Sequence, residues 1–170
     1  LGTGIVMRAE PDGHTLLCNS SAIVINPALN RDPAFNVLRT LRAVVLVARS
    51  PIMLVVHPAV PAQSLADLLA LARARPGELR FASPGVGSTA HLALEQFRSV
   101  AKLDIAHVPY KGGGQLIVDV VAGHVQGSFN TGATFQPHVR AGRLRALGIA
   151  SPQRSEFAPE IPTFAEGGDR

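Results

Sequence analysis

Strand-like and helix-like segments alternate through the second half of the 170-residue sequence, and this alternation constrains the fold more than any other feature. We predict strands at residues 79–82, 105–108, 125–129 and 144–150, and helices at residues 89–101, 114–122 and 133–141. Alternating strands and helices with short linkers are typical of βαβ units, which build a mainly parallel sheet with helices on its faces. The pattern therefore predicts an α/β fold.

The first half of the sequence is less regular, although it contains one well-marked helix. We predict this helix at residues 64–74, because Ser64 and Asp67 have the spacing of a capping box and the leucines that follow form one apolar stripe. Short, largely apolar runs predict strands at residues 14–18, 41–48 and 52–57. The run at 41–48 contains several β-branched residues and is expected to form a buried strand.

Charge and composition argue against several functional classes. The net charge is +4, and the Lys and Arg residues are scattered without interleaved aromatic residues, so a nucleic-acid partner is not expected. The single cysteine, Cys18, provides no disulfide framework, and the six histidines lack the spacing of a metal site. We therefore expect no metal and no cofactor, and the mildly basic surface suits a small anionic ligand.

Three loops of the regular half follow the carboxyl ends of predicted strands, at residues 83–88, 109–114 and 130–134. Glycine and hydroxyl residues dominate them, whereas solvent-exposed loops more often carry Asp, Glu and Lys. In a parallel sheet the ligand lies beyond the carboxyl ends of the strands. Helix N-termini at that edge would direct free backbone N–H groups at an anion, although the same composition also suits simple tight turns.

Two enzymatic interpretations of the first loop remain open at this point. Residues 85–90 match a relaxed dinucleotide fingerprint, G-x-G-x-x-A, but the acidic residue that should hold the ribose is missing from the end of the next strand. Asp104 lies at the beginning of that strand instead. A hydrolase that uses Ser88 with His91 is the second interpretation, although the G-x-S-x-G nucleophile motif is absent.

Six blocks of the sequence carry a resemblance to a known family. They are FASPGVGSTAHL at residues 81–92, HVPYKG at 107–112, GRLRAL at 142–147, IPTFAEG at 161–167, PDGHTLL at 11–17 and INPAL at 25–29. In the order in which they occur along the chain, they resemble the solute-binding receptors of tripartite tricarboxylate transporters, the Bug family. The resemblance covers nearly the whole chain, and the HVPYKG block is specific.

The resemblance implies an α/β, periplasmic-binding-protein-like (Venus flytrap) fold, with two lobes that contain mainly parallel sheets. Residues 60–147 would form the second lobe. Residues 1–59 with 148–170 would form part of the first lobe, which we expect to be incomplete because the family has further segments at both ends. A truncated relative without binding activity is therefore an alternative, and a homo-oligomer could cover the open sheet edges.

The resemblance also implies a function. Such a receptor is periplasmic, is not an enzyme, and captures a small carboxylate or amino acid for the membrane components of its transporter; we expect the signal peptide of such a receptor to lie outside these 170 residues. The positions that match the family's ligand contacts are Ser20, Ser21, Ser83, Gly87, Ser88, Thr89, His91, Asn130, Thr131 and Gly132. Tyr110 and Lys111 lie in the HVPYKG block, and they serve either the ligand or only the shape of the loop.

Overall fold

This computed structural model describes residues 2–30 and 37–167. From Arg49 onward the chain forms a unit that is built around a five-stranded sheet. The strands are β1 (Ile52–Val56), β2 (Arg80–Ser83), β3 (Ala106–Pro109), β4 (Gly127–Thr131) and β5 (Arg145–Ala150). The helices are α1 (Gly2–Val6), α2 (Ala22–Asn30), α3 (Val37–Thr40), α4 (Leu65–Ala74), α5 (Thr89–Ala101), α6 (Gly113–Val121) and α7 (Gly132–Arg140). From residue 64 onward each element begins and ends within two residues of its predicted bounds.

The sheet is mixed, with the spatial order β3-β2-β4-β1-β5. β2 pairs in parallel with β3 and β4, whereas β1 pairs antiparallel with both β4 and β5. Four of the five strands therefore run in one direction, and β1 is the exception to the predicted parallel sheet. A short apolar run such as β1 contains no signal for the direction in which it enters a sheet, because both of its faces are buried in either direction.

Helices cover both faces of the sheet and separate its apolar side chains into two clusters. Leu54 and Val56 of β1 face α4 and α5, whereas Met53 and Val55 face α6 and α7. This alternation follows the two-residue period of a strand. α4 begins as predicted, because the Ser64 hydroxyl accepts the Asp67 N–H and the Asp67 carboxylate accepts the Ser64 N–H. None of the described helices is both long and apolar enough to cross a membrane.

Residues 1–48 form a separate unit that contains α1, α2 and α3, and two strand predictions in it are wrong. Residues 14–18 and 41–48 have no regular secondary structure. The run at 41–48 is also exposed rather than buried, with Val44 at 77% and Leu46 at 65% exposure. A strand is stable only when a neighbour pairs with it, and among the described residues none pairs with either segment.

The division of the chain lies between Ala48 and Arg49, which differs from the predicted lobe boundaries at residues 59–60 and 147–148. β1 lies in the predicted first lobe and β5 crosses the predicted boundary at 147–148, but the two strands pair with each other, and β1 also pairs with β4 of the predicted second lobe. Strand pairing connects positions far apart in the sequence, so boundaries drawn from linkers do not reveal it. How these residues are shared between the lobes of a complete receptor stays a prediction.

Candidate functional site

Three helix N-termini lie at one edge of the sheet. β3, β2 and β4 are adjacent and parallel, so their carboxyl ends meet at the same edge, and α5, α6 and α7 begin directly after them. α5 packs on one face of the sheet, whereas α6 and α7 pack on the other. The loop after β2 therefore leaves toward the opposite face from its two neighbours, which opens the kind of crevice where α/β proteins bind ligands.

The first turn of α5 provides free donors at this edge. The Ser88 hydroxyl caps the helix by accepting the His91 N–H at 3.1 Å. The backbone N–H groups of Thr89 and Ala90 have no acceptor among the described residues. These unsatisfied N–H groups and the positive end of the helix dipole attract an anion.

The N-terminus of α6 has no side-chain cap. Its N-cap residue, Gly112, has φ +121° and offers no side-chain acceptor, and two further glycines follow. The Gly112 N–H donates to the Pro84 carbonyl at 2.9 Å, which fastens the loop after β3 to the loop after β2. The space around Gly114 is open, since a Cβ added there would meet nothing within 4 Å. A ligand oxygen has access to the backbone at this point.

The end of β4 contributes an amide and a hydroxyl. Asn130 is buried, and its Oδ1 atom accepts the Thr131 N–H at 2.8 Å. The Thr131 and Thr134 hydroxyls are hydrogen-bonded to each other at 2.8 Å. The Gly132 N–H donates to the Pro51 carbonyl at 2.9 Å, so this donor is already occupied. The side chains at the start of α7 are therefore better placed for a ligand than the Gly132 N–H.

Two histidines support the loop after β2. Ser83 is fully buried, and its hydroxyl is hydrogen-bonded to Nε2 of His107 at 2.8 Å. The His107 ring stacks on the His91 ring with 4.4 Å between centroids. Nδ1 of His91 in turn accepts the Gly87 N–H at 3.3 Å. The two imidazoles thus hold both ends of the loop at residues 83–87.

The surroundings of this pair affect the protonation of His107. Burial, and secondly the charge of His91, lower the pKa of His107 below its ordinary value. Nε2 of His91 lies 3.7 Å from the Glu95 carboxylate, which is itself paired with Arg98 at 2.7 Å. The lowered pKa favours the neutral form of His107.

A metal ion does not fit this group, although His91, Glu95 and His107 offer ligand atoms within 4.8 Å of one another. A ligating imidazole uses one lone pair and usually donates the N–H of its other nitrogen. Nδ1 of His91 accepts the Gly87 N–H instead, so Nε2 carries the hydrogen and has no lone pair for a metal. Glu95 is also paired with the Arg98 guanidinium.

The described residues do not support either enzymatic interpretation. The Ser88 hydroxyl bonds the backbone of His91 and not its ring, and Ser83, which does contact an imidazole, is fully buried. Asp104 lies at the opposite edge of the sheet, where its carbonyl accepts the Gly77 N–H. It therefore cannot reach a ribose bound above the glycine loop.

A family model described as the tripartite tricarboxylate transporter family receptor, TctC, matches residues 1–170. The chain belongs to this receptor family. BugT of Bordetella pertussis is 38% identical over 170 residues, which cover 99% of this chain and 52% of that protein. The predicted membership in the Bug family is thereby confirmed.

Solved structures of similar proteins show the same fold. R. palustris Rpa4515, determined with adipate, is 31% identical with a TM-score of 0.88, and the match covers 98% of this chain and 56% of that one. MatC of Rhodopseudomonas palustris, determined with bound malate, is 25% identical with a TM-score of 0.83, over 99% and 57%. The periplasmic-binding-protein-like α/β fold is as predicted. The chain spans about half the length of the relatives that it matches.

Eight of the ten predicted ligand residues of this TctC-family receptor chain lie at the edge described above. They are Ser83, Gly87, Ser88, Thr89, His91, Asn130, Thr131 and Gly132. Ser20 and Ser21 belong to the first unit, where both are exposed and the Ser20 hydroxyl accepts the Ala22 N–H at the start of α2. The ligand contacts of all ten residues stay a prediction.

Sequence reasoning missed several backbone donors of this receptor. The N–H groups of Ala90, Gly113 and Gly114 lie in the first turns of α5 and α6, a position that could have been derived from the loop boundaries. Of the two undecided residues, Tyr110 donates from its hydroxyl to Asp119 at 2.6 Å, which favours a role in the shape of the loop. Lys111 is exposed.

Proposed function

We propose that this chain is the ligand-binding part of an extracytoplasmic receptor that captures a small carboxylate for a tripartite tricarboxylate transporter. One observation carries the proposal: the first turns of α5 and α6 direct unsatisfied backbone N–H groups at a common edge of the sheet. Such donors match a carboxylate, which accepts several hydrogen bonds and carries the negative charge that helix N-termini attract. The related receptors determined with adipate and malate bind acids of this chemical class.

Recognition by backbone groups explains the composition of the site. The N–H groups of Thr89, Ala90 and Gly114 would hold a carboxylate group, while the Asn130 amide and the Thr131 hydroxyl lie at the adjacent strand end. None of these groups supplies a nucleophile with a paired base, so the site binds and does not catalyse. The +4 net charge favours the approach of anions.

The remaining parts of the proposal concern the complete receptor. Ser20 and Ser21 would contribute ligand contacts from the first unit, the receptor would work in the periplasm, and its partners would be the membrane components of the transporter. A homo-oligomer stays an open alternative, for which the mass in solution is the direct measurement.

Calorimetric titration of the full-length protein with adipate, malate, citrate and glutamate tests the proposal, with ATP and NAD as controls. We expect at least one acid to bind and to raise the free energy of unfolding, by about 2.7 kcal/mol at a hundredfold excess over Kd. Binding of a nucleotide without binding of any acid would show that the proposed function is wrong.

A further inference from the structure

One of the loop donors that an anion would use is occupied by a side chain of the protein itself. Gly87 is buried at φ +78°, and its N–H donates to Nδ1 of His91 at 3.3 Å. A backbone N–H is only a donor, so this nitrogen of the ring must carry a lone pair. The ligand-free loop is therefore satisfied by an imidazole at the position where a carboxylate would accept.

The groups around the His91 ring decide where a proton goes. Glu95 and Arg98 face it from α5, with Glu95 at 3.7 Å and Arg98 paired to Glu95, and His107 faces it from β3 as a stacked ring. Of the two rings, only that of His91 accepts the Gly87 N–H, and the Glu95 carboxylate lies beside it. His91 is thus the ring whose protonation would break a hydrogen bond of the loop.

We propose that carboxylate capture is coupled to protonation of His91. A proton from solvent adds to Nδ1, which can then no longer accept the Gly87 N–H. The Gly87 N–H and the new Nδ1–H both require an acceptor, and a ligand carboxylate supplies it together with a compensating charge. This inference rests on the proposed function and adds the regulation of that site by pH.

The coupling has a quantitative limit. If one proton enters per ligand, the Kd rises at most tenfold for each unit by which the pH is raised. The range to measure is about pH 5 to 8, because histidine side chains as a class change charge there. A receptor of this kind holds its ligand more tightly in a mildly acidic medium than in an alkaline one.

The first test needs no ligand. The amide resonance of Gly87 is followed by nitrogen-15 NMR in the ligand-free full-length protein from pH 5 to 8.5. We expect its chemical shift to follow a single-proton curve, since protonation of His91 breaks its hydrogen bond. The curve should disappear in His91→Gln and persist in His124→Gln, whose histidine is exposed and paired with Asp119. A Gly87 resonance that stays constant in the wild-type protein overturns the inference without any variant.

The second test counts protons on binding. Adipate and malate are titrated by calorimetry at pH 7.5 in two buffers with different ionisation enthalpies. At this pH, carboxylates of ordinary pKa are already ionised. We expect uptake of up to one proton per bound acid, and none in His91→Gln. Binding of an acid without proton uptake would overturn the inference and leave the proposed function intact. If none of the acids tested above binds, the proposed function fails, and the inference fails with it.

Discussion

Replacing Thr89 with proline would remove a single backbone donor from the candidate site. Thr89 is the first residue of α5, and its N–H has no acceptor among the described residues. Proline lacks the N–H and is well tolerated at the first position of a helix. Ser88 has φ −72° and ψ 158°, an extended conformation that a following proline accepts. The fold of α5 and its serine cap should therefore be retained.

The expected loss follows from the type of hydrogen bond. A hydrogen bond to a charged group contributes about 1.5–3 kcal/mol, which corresponds to a roughly 10- to 150-fold increase in Kd. The free energy of unfolding should change by about 0.5 kcal/mol or less, because no hydrogen bond within the helix is lost. Affinity and stability should thus respond very differently to this one substitution.

Thr89→Ala is the matched control, because it removes the same hydroxyl and keeps the N–H. Both variants of the full-length protein are titrated by calorimetry with whichever of adipate, malate, citrate and glutamate binds the wild type, and unfolded in urea. We expect Thr89→Pro to bind far more weakly than Thr89→Ala at similar stability. Equal Kd values for the two variants would refute the reasoning that this N–H holds a carboxylate.

Three further predictions concern the backbone, the fold and the charges. Gly87→Ala and Gly142→Ala place Cβ atoms at φ +78° and +68°, so each should lower the free energy of unfolding in urea by about 1–2 kcal/mol. Only Gly87→Ala should also weaken carboxylate binding. Equal Kd values for the two variants would contradict a ligand contact at the loop that contains Gly87. Ser64→Ala removes the hydroxyl that caps α4 and should lower the free energy of unfolding by about 1 kcal/mol with Kd unchanged; an unaltered urea midpoint would show that the cap contributes nothing. Burial, and then the hydrogen bond to Asp119, raise the pKa of Tyr110 to about 12. The midpoint of its titration, followed by ultraviolet absorbance, should therefore lie well above that of free tyrosine, and it should be lower in the variant Asp119→Asn. The stability from the neutral phenol is present below about pH 10 and is lost as the pH rises toward 12; an identical midpoint in both proteins would show that Asp119 has no influence.

The sequence was sufficient to locate the elements from residue 64 onward, because their local signals agree with their final packing. Ser64 caps α4, and Gly123 and Gly142 stand at positive φ just after α6 and α7, where only glycine adopts the backbone without strain. The strand predicted at residues 41–48 failed for the opposite reason. Its β-branched composition is favourable, but a strand depends on a partner that composition does not reveal.

The candidate site could be located from the sequence, but its free donors could not be identified. Glycine and hydroxyl residues after three strands predict a site at one edge of the sheet, and three helices begin at that edge. Whether a given N–H is available depends on contacts with distant residues. The N–H groups of Gly87 and Gly132 are both occupied, one by the His91 ring and the other by the Pro51 carbonyl. Only the geometry shows that Ala90 has a free donor instead.

The antiparallel direction of β1, which the sequence did not predict, affects the candidate site because it brings the start of β1 next to the start of α7. Because β1 runs against β4, its first residue, Ile52, pairs with Thr131 at the edge where the helices begin. The carbonyl of the preceding residue, Pro51, accepts the Gly132 N–H, so the start of β1 fixes the start of α7. A parallel β1 would end at this edge, and the residue before it would lie at the opposite one. The mixed topology therefore anchors α7 through the Gly132 N–H. The Thr89 N–H at the start of α5 has no acceptor among the described residues, and we place the carboxylate between α5 and α6.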